Sequence, residues 1–359
     1  MKKVGILTFQ QAVNYGAVLQ MYALQKIVSE LGYDVEIINY DSPKIAEGYN
    51  PFHYQNIWKP KAFLSDVLNC FSRIERNQKF NAFIQENMKL SSLISKDKLV
   101  EIADYYDYYI VGSDQVWNPD ITGDDSTYFF DFVIRNEKKL SYAASFGVSQ
   151  WPKDNSISLG QVLKGFHHIS VREKTGKEII QSVLPDKKDI TVDVDPVFLL
   201  KREEWQRFVM PSKHSPYVFV YTVGNPQNVY QYASNLASEK KVNIINLRYA
   251  KSFKKHNEQI GQVIYGASPE EFVSLIGNAA YVVTNSFHAT AFSLIFKKEV
   301  FVEMPAGLSS RIKDLFSLVG LSHRTIDQKL EPVNWQSVNE NLAKAREQSI
   351  KDLSFMLNE

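Results

Sequence analysis

The sequence predicts an α/β protein of two Rossmann-like domains facing across a cleft. Three observations predict it. Short apolar, β-branched runs alternate with longer runs of helical period, as β-α-β units and parallel sheets require. The alternation breaks once, at 196–216, a segment that begins with Pro196 and ends in MPSKHSP (210–216), and then it restarts. The length of 359 residues favours two domains over one.

The elements follow in order. KVGILTF (3–9) is a strand and QQAVNYG (10–16) a polar loop. AVLQMYALQKIVSEL (17–31) is a helix, with Val18, Met21, Leu24, Ile27, Val28 and Leu31 at mostly helical spacing. Gly32 stops that helix and DVEIINY (34–40) is the next strand, which makes a β-α-β unit with a right-handed crossover. The segment 61–88 carries Phe63, Val67, Phe71, Ile74, Phe80, Phe83 and Ile84 and reads as helical, part of an insertion at about 45–104. YDYYIVGSD (106–114), KLSYAASFG (139–147), HISVRE (168–173) and DITVDVD (189–195) are strands, the last two separated by a helix at 173–183. After the break, YVFVYTV (217–223), VNIINL (242–247), AAYVVT (279–284) and EVFVE (299–303) are strands. Helices at 227–240, 269–277, 288–296 and 309–320 accompany them. The domains are expected at 1–205 and 206–330; a helix over about 335–357, within 331–359, packs on the second half or crosses back to the first.

Charged residues make up 23% of the chain and the formal net charge is +1. That balance argues against general nucleic-acid binding, which needs a basic face or stripe. KSFKKH (251–256) is a local basic patch and reads as a solvated edge. The single cysteine, Cys70, excludes an internal disulfide and a cysteine-rich zinc site. The apolar run in MKKVGILTFQQ is too short for a signal-peptide core, and no stretch of about 20 apolar residues could span a bilayer. A cytoplasmic protein is expected. DVDPVF (193–198) contains Asp-x-Asp, which holds a metal and a diphosphate in some transferases, but its proline favours a structural turn. No metal site is expected.

In Rossmann-like folds ligands bind beyond the carboxyl ends of the strands. Asn14, Asp114, Arg172 and His288 all follow predicted strands, and convergence of these four in one cleft is the expectation. In TNSFHATAFSLIF (284–296) a strand runs into a helix at Asn285 and Ser286, either of which can cap it. The first turn of such a helix attracts phosphate or carboxylate. His288 there can exchange a proton near neutral pH, or be a turn residue that only meets a backbone carbonyl. AGLSSRIKDLF (306–316) repeats the design: Ser309 and Ser310 can cap, and Arg311 in the first turn suits an anion, unless it pairs with Asp314. VGSDQVWNPD (111–120) offers Asp114, Gln115 and Trp117, a carboxylate, an amide and an indole face suited to a sugar; the alternative is a turn around Asn118-Pro119 with a half-buried Trp117. Asn14, Tyr15 and Gly16 form a similar loop, and Arg172 can fork onto an anion or pair with Glu173 or another acid.

Taken together, NYGAVLQMYAL, VGSDQVWNPD, YFFDFV, LSYAASFG, SVREKTG, VDVDPVFLL, TNSFHATAFSLIFKKEV and GLSSRIKDLFSLVGL resemble the polysaccharide pyruvyl transferase family, in its order and over most of 4–321. The resemblance implies a GT-B-like architecture. It implies transfer of a pyruvyl group from phosphoenolpyruvate, the donor substrate, onto two hydroxyls of a sugar, giving a cyclic ketal and phosphate, with no cofactor. It implies donor binding and catalysis by the residues matching His288 and Arg172. Asn285, Ser286, Ser309, Ser310 and Arg311 are then donor-side candidates, and Asn14, Tyr15, Asp114, Gln115 and Trp117 acceptor-side candidates. A lipid-linked oligosaccharide acceptor would bring the protein to the inner face of a membrane as a peripheral contact. Where the family usually has arginine, two residues before the histidine, this chain has Ser286. A nucleotide-sugar glycosyltransferase and a non-catalytic glycan-binding member are the alternatives.

Overall fold

A computed structural model describes residues 1–50, 52, 56, 58–212, 216–224, 226–249, 260–304, 310–322, 324–328 and 331–358, without the side chains of Lys61, Ser65 and Ser310. The KSFKKH patch, Ser309 and the Ser310 side chain lie outside the described set. The chain opens with β1 (Lys3–Leu7), α1 (Tyr15–Glu30), β2 (Asp34–Ile37), α2 (Pro43–Gly48) and the long α3 (Pro60–Asn87). It continues with β3 (Tyr108–Val111), α4 (Pro119–Thr122), β4 (Lys139–Ala144), α5 (Leu159–Lys164), β5 (His168–Val171), α6 (Lys174–Val183) and β6 (Ile190–Val192). The second series is α7 (Arg202–Gln206), β7 (Tyr217–Tyr221), α8 (Val229–Lys240), β8 (Asn243–Arg248), β9 (Gln262–Tyr265), α9 (Pro269–Asn278), β10 (Tyr281–Thr284), α10 (Phe287–Ile295), β11 (Glu299–Val302), α11 (Ser310–Val319) and α12 (Trp335–Asn358). Among the described strands β9, an edge strand of four residues, is the one the sequence pattern does not announce.

Two sheets result. The first runs β2-β1-β3-β4-β5-β6 and the second β11-β10-β7-β8-β9. Every strand pair in both is parallel. Strands covered on both faces must be apolar throughout, and the central strands β3, β4 and β7 are buried at every position. Helix starts follow local chemistry. Asn14 Oδ1 accepts from the N–H groups of Gly16 and Ala17 and caps α1. Ser268 and Glu271 form a reciprocal capping box on α9, with Pro269 in the first turn.

The chain divides into two compact units. The first holds Met1–Gly48, Ile84–Leu200 and Leu342–Glu359, and the second Tyr49–Phe83 and Lys201–Asn341. The insertion expected beside the first sheet is therefore split, since most of α3 packs within the second unit. There the ring of Phe83 lies 5.6 Å from that of Phe208. The latter part of α12 belongs to the first unit. Ser349 Oγ accepts from the Val194 N–H at 3.1 Å, and Arg346 Nε donates to the Phe198 carbonyl at 2.6 Å.

Candidate functional site

Each sheet has a point where strand order reverses. In the first, β1 lies between β2 and β3; in the second, β7 lies between β8 and β10. The connections from the two central strands leave in opposite directions there and open a crevice at the strands' carboxyl ends. Asn14 and Asp114 follow β1 and β3, and Val223 and Asn285 follow β7 and β10. Four residues widely separated in sequence thus lie at two switch points.

In the first unit the site is built from charge. Arg172, one residue past β5, is buried, and its Nη1 lies 2.5 Å from Asp195 Oδ2. Its Nη2 lies 3.6 Å from Asp114 Oδ1 and its Nε 3.8 Å from Glu173 Oε2. One guanidinium thus holds three carboxylates. Burial works against the charged form of Arg172, but the attraction of Asp195, Asp114 and Glu173 outweighs it and raises the arginine's pKa. Glu173 also accepts from Ser145 Oγ at 2.7 Å and the Phe146 N–H at 3.1 Å, and Asp195 from the Val197 N–H at 3.1 Å. Asp114 is the most open member, with 12% of its side chain exposed. It sits in the left-handed region at φ 62, which a non-glycine residue enters at a cost of about 1–3 kcal/mol and keeps only where its surroundings hold it. Gly112, at φ 122, is required by packing: a Cβ there would stand 2.2 Å from the Tyr142 carbonyl oxygen.

One strand further along, Asp193 accepts from Ser170 Oγ and Thr191 Oγ1, both at 2.6 Å. Burial pushes its carboxyl up to about 6, against these hydroxyls and that of Ser349, which favour the carboxylate.

In the second unit the site is built from backbone and helix ends. Asn285 is buried, and its amide pairs with both backbone groups of Val223, accepting from N–H at 2.8 Å and donating to C=O at 2.7 Å. This ties the end of β10 to the end of β7. The role of cap falls to Ser286, whose Oγ accepts from the Ala289 N–H at 3.4 Å. His288 follows in the first turn of α10, a helix buried at all nine positions. The Phe287 ring stands edge-on to His288, 5.2 Å between centroids, and the Arg311 guanidinium lies 5.9 Å from that same ring. The helix after β7, α8, has its anion already. The Glu303 carboxylate accepts from the N–H groups of Gln227, Asn228 and Val229 at 2.9, 2.9 and 3.0 Å.

Residues 14–303, four fifths of the chain, match the family described as polysaccharide pyruvyl transferase. The chain belongs to that family. It is thus a member of a transferase family of polysaccharide biosynthesis. No curated protein matches its sequence. Among solved structures it is similar to UDP-GlcNAc 2-epimerase from Methanocaldococcus jannaschii, with TM-score 0.54, 12% identity, and coverage of 99% of this chain and 100% of the other. It is also similar to MnaA of S. aureus in a co-structure with UDP, with TM-score 0.50, 11% identity, and coverage of 99% and 91%. At such identities the likeness concerns the fold, which is GT-B-like.

Against this family's expected residues the structure sorts the candidates. Arg172 and Asp114 come together in the first unit, with Glu173 and Asp195, the expected ion-pair partner and turn residue. Arg172 is not arranged as a bare anion clamp. Asn285, Ser286, His288 and Arg311 come together around α10 and Phe287, a ring that no sequence pattern singles out. Tyr15 is buried at the start of α1. Gln115 Oε1 accepts from Asn118 Nδ2 at 2.9 Å, over Gly147, where a Cβ would stand 1.9 Å from that oxygen. Trp117 departs from both expectations, the sugar-facing indole and the half-buried one. Its indole is fully buried, stacks on Phe129 at 5.5 Å and donates to the Tyr128 carbonyl at 3.0 Å, so it is core and offers no face to a sugar. Among the described residues no group of His, Cys, Asp or Glu is set to hold a metal ion, and no helix is long and apolar enough to cross a membrane.

Proposed function

We propose that the protein transfers a pyruvyl group from phosphoenolpyruvate to two hydroxyls of a sugar in a polysaccharide precursor, free or lipid-linked, forming a cyclic ketal. The observation that carries this reading is the start of α10. In a member of this family, an imidazole stands in the first turn of a helix at a strand-order switch point, with an arginine across one phenyl ring.

The chemistry assigns the parts. His288 gives a proton to C3 of phosphoenolpyruvate, which makes C2 electrophilic. A sugar hydroxyl oxygen bonds to C2 and loses its proton. The C2–O bond to phosphate breaks, and the second hydroxyl oxygen bonds to C2 and closes the ring. One hydroxyl proton replaces the one consumed at C3, and the other leaves with phosphate. The α10 N-terminus and Arg311 balance the donor's negative charge, in place of the arginine that Ser286 replaces. The α8 N-terminus is filled by Glu303 and is not part of this binding. In the first unit Asp114 is the carboxylate that receives acceptor hydroxyls, with Asn14, Tyr15 and Gln115 as neighbouring polar groups. Arg172 is a positioning residue that holds Asp114.

The test is phosphate release from phosphoenolpyruvate with a panel of galactose-containing acceptors, with the ketal identified by mass spectrometry. Release that depends on acceptor supports the reading. Absence of release across the panel, together with a nucleotide sugar raising the melting temperature, would replace it with a glycosyltransferase.

A further inference from the structure

Thr8 and Ser113 stand just past the ends of β1 and β3, at the first switch point, and Gln20 lies in the second turn of α1. All three are polar and all three are wholly enclosed. Gln20 Oε1 accepts from the Ser113 N–H at 3.1 Å. Its Nε2 donates to Thr8 Oγ1 at 3.1 Å and to the Ala17 carbonyl of its own helix at 2.9 Å. Thr8 Oγ1 closes the ring by donating to the Ser113 carbonyl at 3.3 Å. Ser113 Oγ donates to the Ala143 carbonyl at 2.9 Å, so every polar group of Ser113 is engaged. The carbonyl of Asp114, the next residue, accepts from the Ser145 N–H at 2.9 Å. A carboxamide buried in a helix costs stability unless both of its N–H groups and its oxygen are used, and here they are. An apolar side chain at this position would make no such demand. What the amide adds is direction: with Thr8 it fixes both backbone groups of the residue before Asp114.

We propose that Gln20 and Thr8 are positioning residues that set the angle at which Asp114 presents its carboxylate to the acceptor. The proposal rests on the reading of Asp114 as the carboxylate that receives acceptor hydroxyls. Asp114 keeps a left-handed backbone at φ 62, a conformation that persists only where the surroundings hold it. Arg172 does not hold it alone, since its Nη2 lies 3.6 Å from Asp114 Oδ1, beyond hydrogen-bond distance. The ring grips the backbone just before Asp114, and Ser145 grips the Asp114 carbonyl. With its backbone fixed on both sides, a short side chain points one way. An acceptor hydroxyl must be placed to within a fraction of an ångström to attack, so a small rotation of that carboxylate is felt in turnover. Gln20 and Thr8 are enclosed and touch no substrate, and Ser113 stands between them and Asp114. Their effect should therefore pass through Asp114 and leave donor binding alone.

The experiment is a double-mutant cycle of Gln20→Met with Asp114→Asn in the full chain, read as acceptor-dependent phosphate release from phosphoenolpyruvate. Gln20→Met is expected to lower kcat by about 10²-fold and to leave the calorimetric Kd for phosphoenolpyruvate unchanged. In the Asp114→Asn background it is expected to cost less than about twofold more. Thr8→Val keeps the shape and removes the hydroxyl; it is expected to lower kcat in the same direction, and Thr8→Ser to recover most of that loss. Should Gln20→Met not fold, the Thr8 pair carries the same cycle. The Ser113 amide is expected to exchange with deuterium at least about tenfold faster in Gln20→Met. Losses that multiply in the cycle would overturn the proposal and leave Gln20 a stability residue. So would turnover near that of the wild type in both Gln20→Met and Thr8→Val. A wild type without turnover would strike the transfer reading instead. Faster exchange at Ser113 would then still support the ring's hold on the backbone before Asp114, and unchanged exchange would overturn it.

Discussion

In the first sheet, Asp114 at the switch point meets an arginine past β5 that sits among three carboxylates; at the second sheet's switch point an asparagine amide grips backbone and a histidine opens a buried helix. The two places share a parallel topology and differ in sign. Asp114, Glu173 and Asp195 outnumber Arg172, so the first place suits groups that donate hydrogen bonds, such as sugar hydroxyls. The second has a helix N-terminus and Arg311 close by, which suits a group rich in negative charge. The lesson is that topology sets where a ligand can sit and the side chains past the strand ends set which ligand.

The largest effect that would break this contrast is expected at Arg172. Replacing it by leucine leaves three carboxylates facing one another without their cation. The expected loss is about 3–5 kcal/mol of stability, read as a lower urea midpoint. A midpoint close to the wild type would mean that the carboxylates are solvated and the first site is not charge-built. His288→Ala is expected to lower turnover by about 10²–10⁴-fold with little change in melting temperature. Turnover within a few fold of the wild type would reduce the histidine to a turn residue.

A smaller effect concerns Asp193. Its native carboxyl titrates at about 6, against an ordinary 3.8, so the folded protein holds that proton more tightly than the unfolded chain. Its contribution to stability is full below about pH 4 and is lost as pH rises through about 6. The loss is on the order of 2–3 kcal/mol. Unfolding midpoints between pH 4 and 7 should therefore show a downward component that Asp193→Asn removes. An identical pH profile in that variant would contradict the assignment. The smallest expected effect is at Arg311. Arg311→Met is expected to raise KM for phosphoenolpyruvate by about tenfold with kcat little changed, the mark of uniform binding.

Much of the fold was legible because period is local. Runs such as KVGILTF and VNIINL declare strands, and the restart after residue 216 declares a second sheet. β9 was not legible, because QVIY offers four residues with no flanking pattern of its own. Helical period in α3 was legible, but period does not say which arc turns inward. The ion pair of Asp66 with Arg73 and the hydrogen bond of Arg76 to the Tyr249 carbonyl decide that, and Tyr249 lies far along the chain. Of the site, the strand-end positions of Asp114, Arg172 and His288 were legible because loops after parallel strands carry ligand groups. Roles were less so. Arg172 meets Asp195, 23 residues away on the far side of a helix and a strand, and Trp117 disappears among Phe129, Phe146 and Phe166. Glu303 at the start of α8 was beyond reach, since nothing local marks a carboxylate as another helix's cap.

The central claim is that the donor belongs to the second switch point and the acceptor to the first. Calorimetric titration of phosphoenolpyruvate into the wild type, Asp114→Asn and Arg311→Met tests it most directly. The account predicts a wild-type Kd for Asp114→Asn, despite lost turnover, and a Kd raised about tenfold for Arg311→Met. Phosphoenolpyruvate binding that fails in Asp114→Asn and survives unchanged in Arg311→Met would contradict it.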